Sequence, residues 1–423
     1  MKREELYYVL FEQQREFQKK REFIDRTQKN KIIELLKLKL PIVITGVRRC
    51  GKSTLIYILK KHLQLKEKEW LYLNFNDERL SQFSIEDFQK IIDYLNEKDY
   101  EEKCFLFIDE IQEVGKWEKW IDRIKEKYQI IITGSNSKLL SKEISTILTG
   151  RSINVSLYPF SFMEFINAKN ILLKNWEIDL KLQAKIRKEF SLFMLSGGIP
   201  KRVTDNDDKI LQENYENILY RDIIKRFNAN LEKTIKEISV YMLSNISKEL
   251  SLRSLSKTVE VKNLSTLKSI LDTFEKAFVI FFINKFDYSI RKQIKNPKKI
   301  YCIDNGFIAQ GGFRFSDDDG KLLENLVFIE LKRIYNNEIY YFSEKNECDF
   351  ILRTGNKVIK AIQVCYDLNN ENKEREINGL LEAINKFGLN EGLILTFDKE
   401  EEIKIGNKKI KIKPAWKWLL SNN

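Results

Sequence analysis

Histidine and paired cysteines are scarce in this sequence, and their scarcity excludes several kinds of site. His62 is the single histidine, so Ser–His–Asp triads and histidine-based metal sites are not expected. The five cysteines are scattered, with no CxxC pair, which argues against a disulfide scaffold or a cysteine-rich zinc site. With only 5 prolines and 16 glycines, collagen-like and proline-rich classes are also excluded.

Long apolar runs are lacking as well. No stretch reaches the roughly 18 apolar residues that a membrane-spanning helix needs. The segment 1–23 is charged throughout and has no apolar core of the kind found in signal peptides. Together with the unpaired cysteines, these features predict a cytoplasmic protein without a membrane partner.

The charge balance is basic, with 74 Lys plus Arg against 62 Asp plus Glu and a net charge of +12. This balance permits contact with nucleic acid or anionic lipid, but a lysine-rich surface accounts for it equally well. A hydrophobic content of 43% is enough for real cores. At about 150 residues per domain, 423 residues predict two or three domains.

Strands and helices alternate between Pro41 and about Asn167, where apolar segments such as PIVIT, LYLNF, CFLFIDE and QIIITGS are separated by helical patterns. This alternation predicts a parallel sheet with helices on both faces. The pattern is mostly helical from about 171 to 282 and mixed from 300 onward, with a closing hairpin that turns at Gly406 and Asn407. We therefore predict an α/β chain.

The segment GVRRCGKS fits the phosphate-binding pattern GxxxxGK[ST], with an apolar strand before it and a helix after it. Backbone N–H groups and the helix N-terminus would cradle phosphate oxygens. Lys52 would contact the β- and γ-phosphates, and the Ser53 hydroxyl would hold Mg²⁺. The predicted nucleotide-binding residues are Gly46, Val47, Arg48, Arg49, Cys50, Gly51, Lys52, Ser53 and Thr54.

The strand CFLFIDE supplies the second half of such a site, because it ends in two acids. A buried strand would deliver Asp109 next to the phosphate loop, where it can orient Mg²⁺ or its waters. Glu110 would then polarise the attacking water as a general base. The alternative is a chance turn and an ordinary strand end, which the correct flanks and the presence of both halves disfavour.

Two further residues are candidates for catalysis. Asn136, or its neighbour Ser135, follows the strand IIITGS and would sense the γ-phosphate or position the water; it could equally cap a turn. Arg151 would stabilise transition-state charge, either in cis or from a neighbouring subunit of a homo-oligomer. A structural salt bridge is the alternative for Arg151.

Several long motifs in order resemble a known family: TGVRRCGKSTL, FIDEIQEVGKWEKWI, ITGSNSKLLSKEISTILTGRS, YPFSFMEF, SGGIPKRV and ENLVFIELKR. The sequence is similar to archaeal and bacterial AAA-type P-loop ATPases that carry a winged-helix module and a C-terminal restriction-endonuclease-like domain. The resemblance implies ATP and Mg²⁺ as cofactors. It also matches Gly198-Ile199-Pro200 to a lid motif that lies against the base, although a simple loop breaker is the alternative for Pro200.

The resemblance divides the chain into three parts: 1–205, an N-terminal helix with the ATPase domain and the start of its lid; 206–298, a winged-helix module; and 299–423, the restriction-endonuclease-like domain. In the middle part, SLRSLSKTVE and NLSTLKSILDTFEKAF predict a helix–turn–helix followed by a basic hairpin. This hairpin contains one acid, Asp287, and six basic residues: Lys285, Arg291, Lys292, Lys295, Lys298 and Lys299. Two interpretations stay open, a wing that contacts DNA phosphates and a lid that packs on the nucleotide.

The C-terminal part has only some of the residues of a metal-dependent nuclease. Glu324 and Asp349 match the helix acid and the strand acid that hold Mg²⁺. Where a nuclease would have Glu-x-Lys, this chain has Gln363 and Cys365, and Lys360 would face differently on its strand. The sequence therefore predicts a catalytically inactive nuclease-like fold.

The function predicted from the sequence is Mg-dependent binding and hydrolysis of ATP, acting as a switch on nucleic acid or on a protein partner. One alternative is a nucleotide sensor or assembly switch with little turnover. Another is an ATP-gated nuclease, which the missing lysine disfavours.

Overall fold

The computed structural model describes residues 1–19, 22–134, 152–312, 319–335 and 338–421. The chain divides into two compact units, Met1–Leu157 and Tyr158–Asn423. The first contains a parallel sheet and the second a larger mixed sheet, both with helices. The prediction of an α/β chain with a parallel sheet in its first part is thus confirmed.

The first unit is built on five parallel strands in the order β2-β3-β4-β1-β5. The strands are β1 Ile42–Thr45, β2 Trp70–Asn74, β3 Phe105–Asp109, β4 Gln129–Gly134 and β5 Ile153–Ser156. The described α-helices of this unit are α1 Arg3–Gln18, α2 Gln28–Leu36, α3 Lys52–His62, α4 Phe88–Glu97 and α5 Trp117–Ile124. All four residues of β1 are buried, which explains its unbroken apolar character.

Two neighbouring glutamines of α1 hydrogen-bond to the backbone of β2, the strand at one edge of this sheet. The Gln14 amide donates to the carbonyl of Trp70 at 2.9 Å and accepts from the N–H of Tyr72 at 3.0 Å. The Gln13 amide accepts from the N–H of Asn74 at 2.8 Å and donates to the carbonyl of the same residue at 3.1 Å. The side chains of α1 thus satisfy backbone groups that an edge strand would otherwise leave unpaired.

The second unit contains a nine-stranded sheet in the order β13-β14-β12-β11-β10-β9-β7-β8-β6. Its strands are β6 Glu249–Leu250, β7 Ile280–Lys285, β8 Lys298–Cys302, β9 Ile339–Ser343, β10 Glu347–Thr354, β11 Lys357–Val364, β12 Glu391–Thr396, β13 Glu401–Ile405 and β14 Lys408–Pro414. Its described α-helices are α6 Phe162–Ala168, α7 Leu180–Ser196, α8 Pro200–Asp205, α9 Lys209–Asn217, α10 Glu232–Ser244, α11 Leu252–Thr258, α12 Leu264–Lys276, α13 Ile290–Lys295, α14 Asn305–Gly311, α15 Asp319–Tyr335, α16 Lys373–Lys386 and α17 Ala415–Ser421. The predicted closing hairpin is confirmed, because β13 and β14 pair antiparallel across Gly406, whose φ is +59°.

The predicted helix–turn–helix is present as α11 and α12, and most of its apolar positions are buried: Leu255, Val259, Leu267, Ile270, Leu271 and Phe274. Leu252 is partly exposed and Leu264 is exposed. The predicted basic hairpin is only partly correct. Strands β7 and β8 do pair antiparallel, but their connection contains the short helix α13. Local hydrogen bonds favour this helix, since the N–H groups of Lys292 and Gln293 both donate to the carbonyl of Ser289 at 3.0 Å.

The sheet of the second unit runs without interruption through the two C-terminal parts inferred from the sequence. Strand β8 spans the position 298/299, and it pairs with β6 and β7 on its two sides. Strand β7 also pairs with β9, over Asn284 and Lys285 only.

None of the helices in the described part of the chain combines the length and the apolar character needed to cross a membrane.

Candidate functional site

The phosphate loop connects β1 to α3, and its geometry requires glycine at two positions. Gly51 precedes α3 with a φ of +96°, in the left-handed region that favours glycine. A Cβ on Gly46 would lie 2.2 Å from the carbonyl oxygen of Leu157, so no larger residue fits there. The loop ends at the N-terminus of α3. The first N–H groups of a helix have no intrahelical partners and can bind a ligand.

Lys52 lies inside this loop. Its side chain is only 5% exposed, and its Nζ donates to the carbonyl oxygens of Gly46 at 3.0 Å and Val47 at 3.3 Å. The ammonium group is therefore held against the loop by two of the loop's own carbonyl groups. A phosphate bound there would meet a positive charge that is already in place.

Arg26, which was not among the predicted residues, supports the same loop. This residue precedes α2, is 3% exposed, and its Nη1 donates to the carbonyl oxygen of Cys50 at 2.8 Å. Neither its position in the chain nor the pattern around it points to the loop, since 24 residues separate the two partners. The contact ties the carbonyl of a loop residue to the segment before α2.

Replacing Arg26 with alanine is expected to lower the free energy of unfolding by about 1–3 kcal/mol, because a buried carbonyl loses a charged donor. It should also weaken nucleotide binding, because the loop loses a support. Thermal unfolding and titration with a non-hydrolysable ATP analogue measure the two effects. Arg123, which is exposed and donates to Gln89, provides the control in an Arg123→Ala variant. Equal behaviour of the two variants would contradict a role for Arg26 in the loop.

Asp109 ends β3 and is buried next to the loop. Its Oδ2 accepts from the Tyr72 hydroxyl at 2.9 Å, and its Oδ1 accepts from the Thr133 hydroxyl. Burial and the neighbouring charge of Glu110 raise the pKa of Asp109, while hydrogen bonds from Ser53, Thr133 and Tyr72 oppose the rise. The two residues predicted to hold Mg²⁺, Ser53 and Asp109, are therefore in direct contact.

Glu110 occupies an unusual backbone conformation. Its φ is +52° and its ψ is +42°, which is the left-handed region that residues other than glycine rarely adopt. Its side chain accepts a hydrogen bond from the amide of Gln112, and its N–H lies 3.4 Å from the Thr133 hydroxyl oxygen. Strained conformations of this kind concentrate at functional sites, where the surroundings hold a side chain in one direction.

Three residues of this site were missed in the sequence: Tyr72, Gln112 and Thr133. Thr133 did leave a signal, because it is a polar residue inside the apolar strand QIIITG. It lies on β4, between β3 and β1 in the sheet, and is fully buried. Tyr72 left no comparable signal, since an aromatic residue in a strand is ordinary packing.

The remaining predicted residues are either outside the described part of the chain or in the second unit. Asn136 and Arg151, with Ser135, lie outside the residues that the structure describes. Pro200 begins α8 in the second unit, at the first helical position, where proline is favoured. The roles suggested for these residues at the nucleotide stay predictions.

Some of the residues compared with a nuclease site in the sequence lie together in a second buried group. Asp349 and Gln363 lie on β10 and β11, where the N–H of Asp349 donates to Oε1 of Gln363 at 3.2 Å. Gln363 in turn donates to Oε2 of Glu376 at 2.6 Å, so its amide is engaged on both sides. Burial raises the pKa of Cys365 to about 12, which keeps this thiol neutral. Lys360 lies near the ring of Tyr335 instead.

Comparison with known proteins decides the family. Over 96% of its length the chain is 35% identical to "Uncharacterized protein MJ1544" of Methanocaldococcus jannaschii, and the match covers 93% of that protein. The chain belongs to the MJ1544 family. Within this family it is also 30% identical to an uncharacterized protein of Haemophilus influenzae, over 79% of the chain and 84% of that protein.

Three family models match consecutive segments of this MJ1544-family chain. An AAA domain matches residues 39–166, which include the phosphate loop and β3, and this match supports ATP binding by the first unit. Two domains of unknown function, DUF8612 and DUF4143, match residues 187–312 and 319–418. Among solved structures, a Walker-type ATPase of Pyrococcus abyssi aligns with a TM-score of 0.45 and 15% identity, over 68% of this chain and 95% of that one.

Proposed function

We propose that this protein binds Mg-ATP at the phosphate loop, hydrolyses it, and uses the nucleotide as a switch on a partner. The observation that carries the proposal is the convergence of Lys52, Ser53, Asp109 and Glu110 at the carboxyl ends of β1 and β3. In parallel sheets these ends share one edge, where ligands bind. A chance glycine-rich turn gives no reason for a buried carboxylate to contact Ser53.

The oxygen atoms at this edge suit a magnesium ion. A hydroxyl and a carboxylate are hard oxygen ligands, and Mg²⁺ is commonly held by one or two such groups together with phosphate oxygens and water. Ser53 and Asp109 would hold the ion. When bound, the ion supplies positive charge that neutralises the phosphate oxygens. A cation beside Asp109 also favours its ionised form, which opposes the effect of burial on its pKa.

Each residue then has a distinct task in hydrolysis. Lys52 binds phosphate oxygens through its ammonium group, which the loop already holds in place. Glu110 accepts a proton from the attacking water, and Gln112 orients its carboxylate. Asn136 would position the same water, and Arg151 would neutralise developing charge, from a second copy if the chain assembles.

We further propose that the partner is nucleic acid and that residues 206–298 contact it as a winged-helix module. The element order α10, β6, α11, α12, β7, β8 and the pairing of β8 with both β6 and β7 support this module. Four basic side chains near the β7–β8 connection are exposed: Arg291, Lys292, Lys295 and Lys298. Lys299, counted with them in the sequence, is buried and cannot contact a phosphate.

The test is ATP hydrolysis by the full chain with and without duplex or single-stranded DNA. We expect stimulation by DNA, and we expect an Arg291→Ala, Lys292→Ala, Lys295→Ala variant to lose it. DNA binding by this variant should then depend less steeply on salt, because the log–log slope falls by about 0.9 for each phosphate that is no longer neutralised.

A matched variant removes three exposed lysines of the first unit and should retain the stimulation: Lys103→Ala, Lys119→Ala and Lys127→Ala. Hydrolysis that is indifferent to DNA in all three proteins would direct the search to a protein partner. Binding of ATP without turnover would instead identify a nucleotide sensor.

A further inference from the structure

Lys299 lies among three acids, and two of them, Glu324 and Asp349, are the acids compared with a nuclease site in the sequence. It is 2% exposed, and its Nζ contacts three carboxylates: Oδ1 of Asp349 at 2.9 Å, Oε1 of Glu324 at 3.2 Å and Oε1 of Glu347 at 2.5 Å. An ammonium group has three protons to donate. Nζ donates to Asp349 and Glu324, and it forms an ion pair with Glu347; α15 and β10 contribute these carboxylates to a lysine of β8.

Two of these carboxylates also accept hydrogen bonds from other residues. The hydroxyl of Tyr301, on the same strand as Lys299, donates to Oε1 of Glu324 at 2.6 Å. The N–H of Val364 donates to Oδ2 of Asp349 at 2.9 Å. A buried charge is stable only when it is paired and its remaining hydrogen-bonding capacity is satisfied, and this group meets both conditions.

The electrostatics of the group agree with a permanently charged lysine. Burial alone would lower the pKa of Lys299, but the charges of Asp349 and Glu324 raise it well above its ordinary value. Burial, together with the charge of Asp349, raises the pKa of Glu324 to about 8. The acids outnumber the positive charge, which raises the pKa of Glu324, and the charge of Lys299 opposes this rise.

A lysine in this position cannot perform the task of a nuclease lysine. Such a residue must reach the phosphate at the bond to be cut. The Lys299 ammonium is already engaged by Asp349, Glu324 and Glu347, and its side chain is almost completely buried. It occupies the space between Glu324 and Asp349, where two carboxylates from a helix and a strand would otherwise gather a divalent cation.

We propose that Lys299 is a built-in cation that replaces a metal ion between Glu324, Asp349 and Glu347. The C-terminal part of the chain therefore needs no metal at this position and does not cut nucleic acid there. The ammonium instead ties β8 to β10 and α15, across the part of the sheet where β7 and β9 pair over only two residues. Removing the ammonium should open a divalent-cation site.

The test is Mn²⁺ binding to the full chain without nucleotide, measured by calorimetry and by the electron paramagnetic resonance of Mn²⁺. We expect the wild type to bind no Mn²⁺ that depends on Asp349. We expect Lys299→Ala to gain one bound ion per chain and to lose it again in the double variant with Asp349→Asn. Subtracting the double variant removes any weak binding at the phosphate loop.

Two results of the binding experiment would overturn the proposal. One is Mn²⁺ binding by the wild type that disappears in Asp349→Asn, because the lysine would then not exclude the ion. The other is a folded Lys299→Ala variant that gains no ion. If that variant is unstable, Lys299→Met preserves the volume, and its melting temperature should rise with added Mn²⁺ while that of the wild type does not change. If the melting temperature of Lys299→Met does not change when Mn²⁺ is added, this result also contradicts the proposal.

Discussion

Replacing Lys52 with alanine is expected to abolish ATP hydrolysis and to weaken ATP binding by about 10- to 150-fold. Its ammonium is held by the carbonyl oxygens of Gly46 and Val47 in the phosphate loop. A hydrogen bond to a charged group contributes about 1.5–3 kcal/mol, which corresponds to that loss of affinity. Phosphate release gives the rate, and titration with a non-hydrolysable ATP analogue gives the affinity.

The matched control for this experiment is Lys61→Ala. Lys61 lies on the same helix, α3, and carries the same charge, but it is exposed and lies near the ring of Phe23. We expect this variant to bind and hydrolyse ATP like the wild type. If Lys52→Ala keeps the affinity and rate of the control, the phosphate loop is not the nucleotide site.

Glu110→Gln is expected to retain ATP binding and to reduce hydrolysis by about 10²- to 10⁴-fold, the usual contribution of a general base. The amide is similar in size to the carboxylate but cannot accept the proton of the attacking water. The left-handed backbone at Glu110 is unchanged by this substitution, so the position of the side chain is preserved. Single-turnover hydrolysis, measured beside the binding titration, separates the two effects.

Glu113→Gln serves as the control, since Glu113 is an exposed acid three residues further along the same short segment. Its rate should equal that of the wild type. A normal rate in Glu110→Gln would remove Glu110 from the role of base. A loss of binding in this variant would instead assign Glu110 to the binding of the nucleotide.

The phosphate loop and the two acids of β3 could be found in the sequence because their chemistry is local. A strand, a glycine-containing turn and a helix N-terminus must follow one another directly, and each leaves its own pattern in consecutive residues. The parallel sheet was predictable for the same reason, since each buried strand is an apolar run. The α11–α12 pair was visible through the spacing of its buried leucines and isoleucines.

Several of the residues that were missed act over long separations in the sequence. Arg26 reaches the phosphate loop across 24 residues, and Lys299 reaches Glu324 and Asp349 across 25 and 50 residues. A run of lysines looks like a solvated surface in the sequence, and only the alternation of β8 turns Lys298 outward and Lys299 inward. Glu324 and Asp349 were found as a pair, but their cation was assigned to the surface.

The two glutamines of α1 have a consequence for how copies of this protein can meet. An edge strand with free N–H and carbonyl groups is a template onto which another chain adds a strand. Here Gln13 and Gln14 occupy those groups along β2, from Trp70 to Asn74. Assembly by extension of this sheet is therefore blocked at β2. A shortened chain without α1 would expose an unpaired edge strand and would be prone to aggregation.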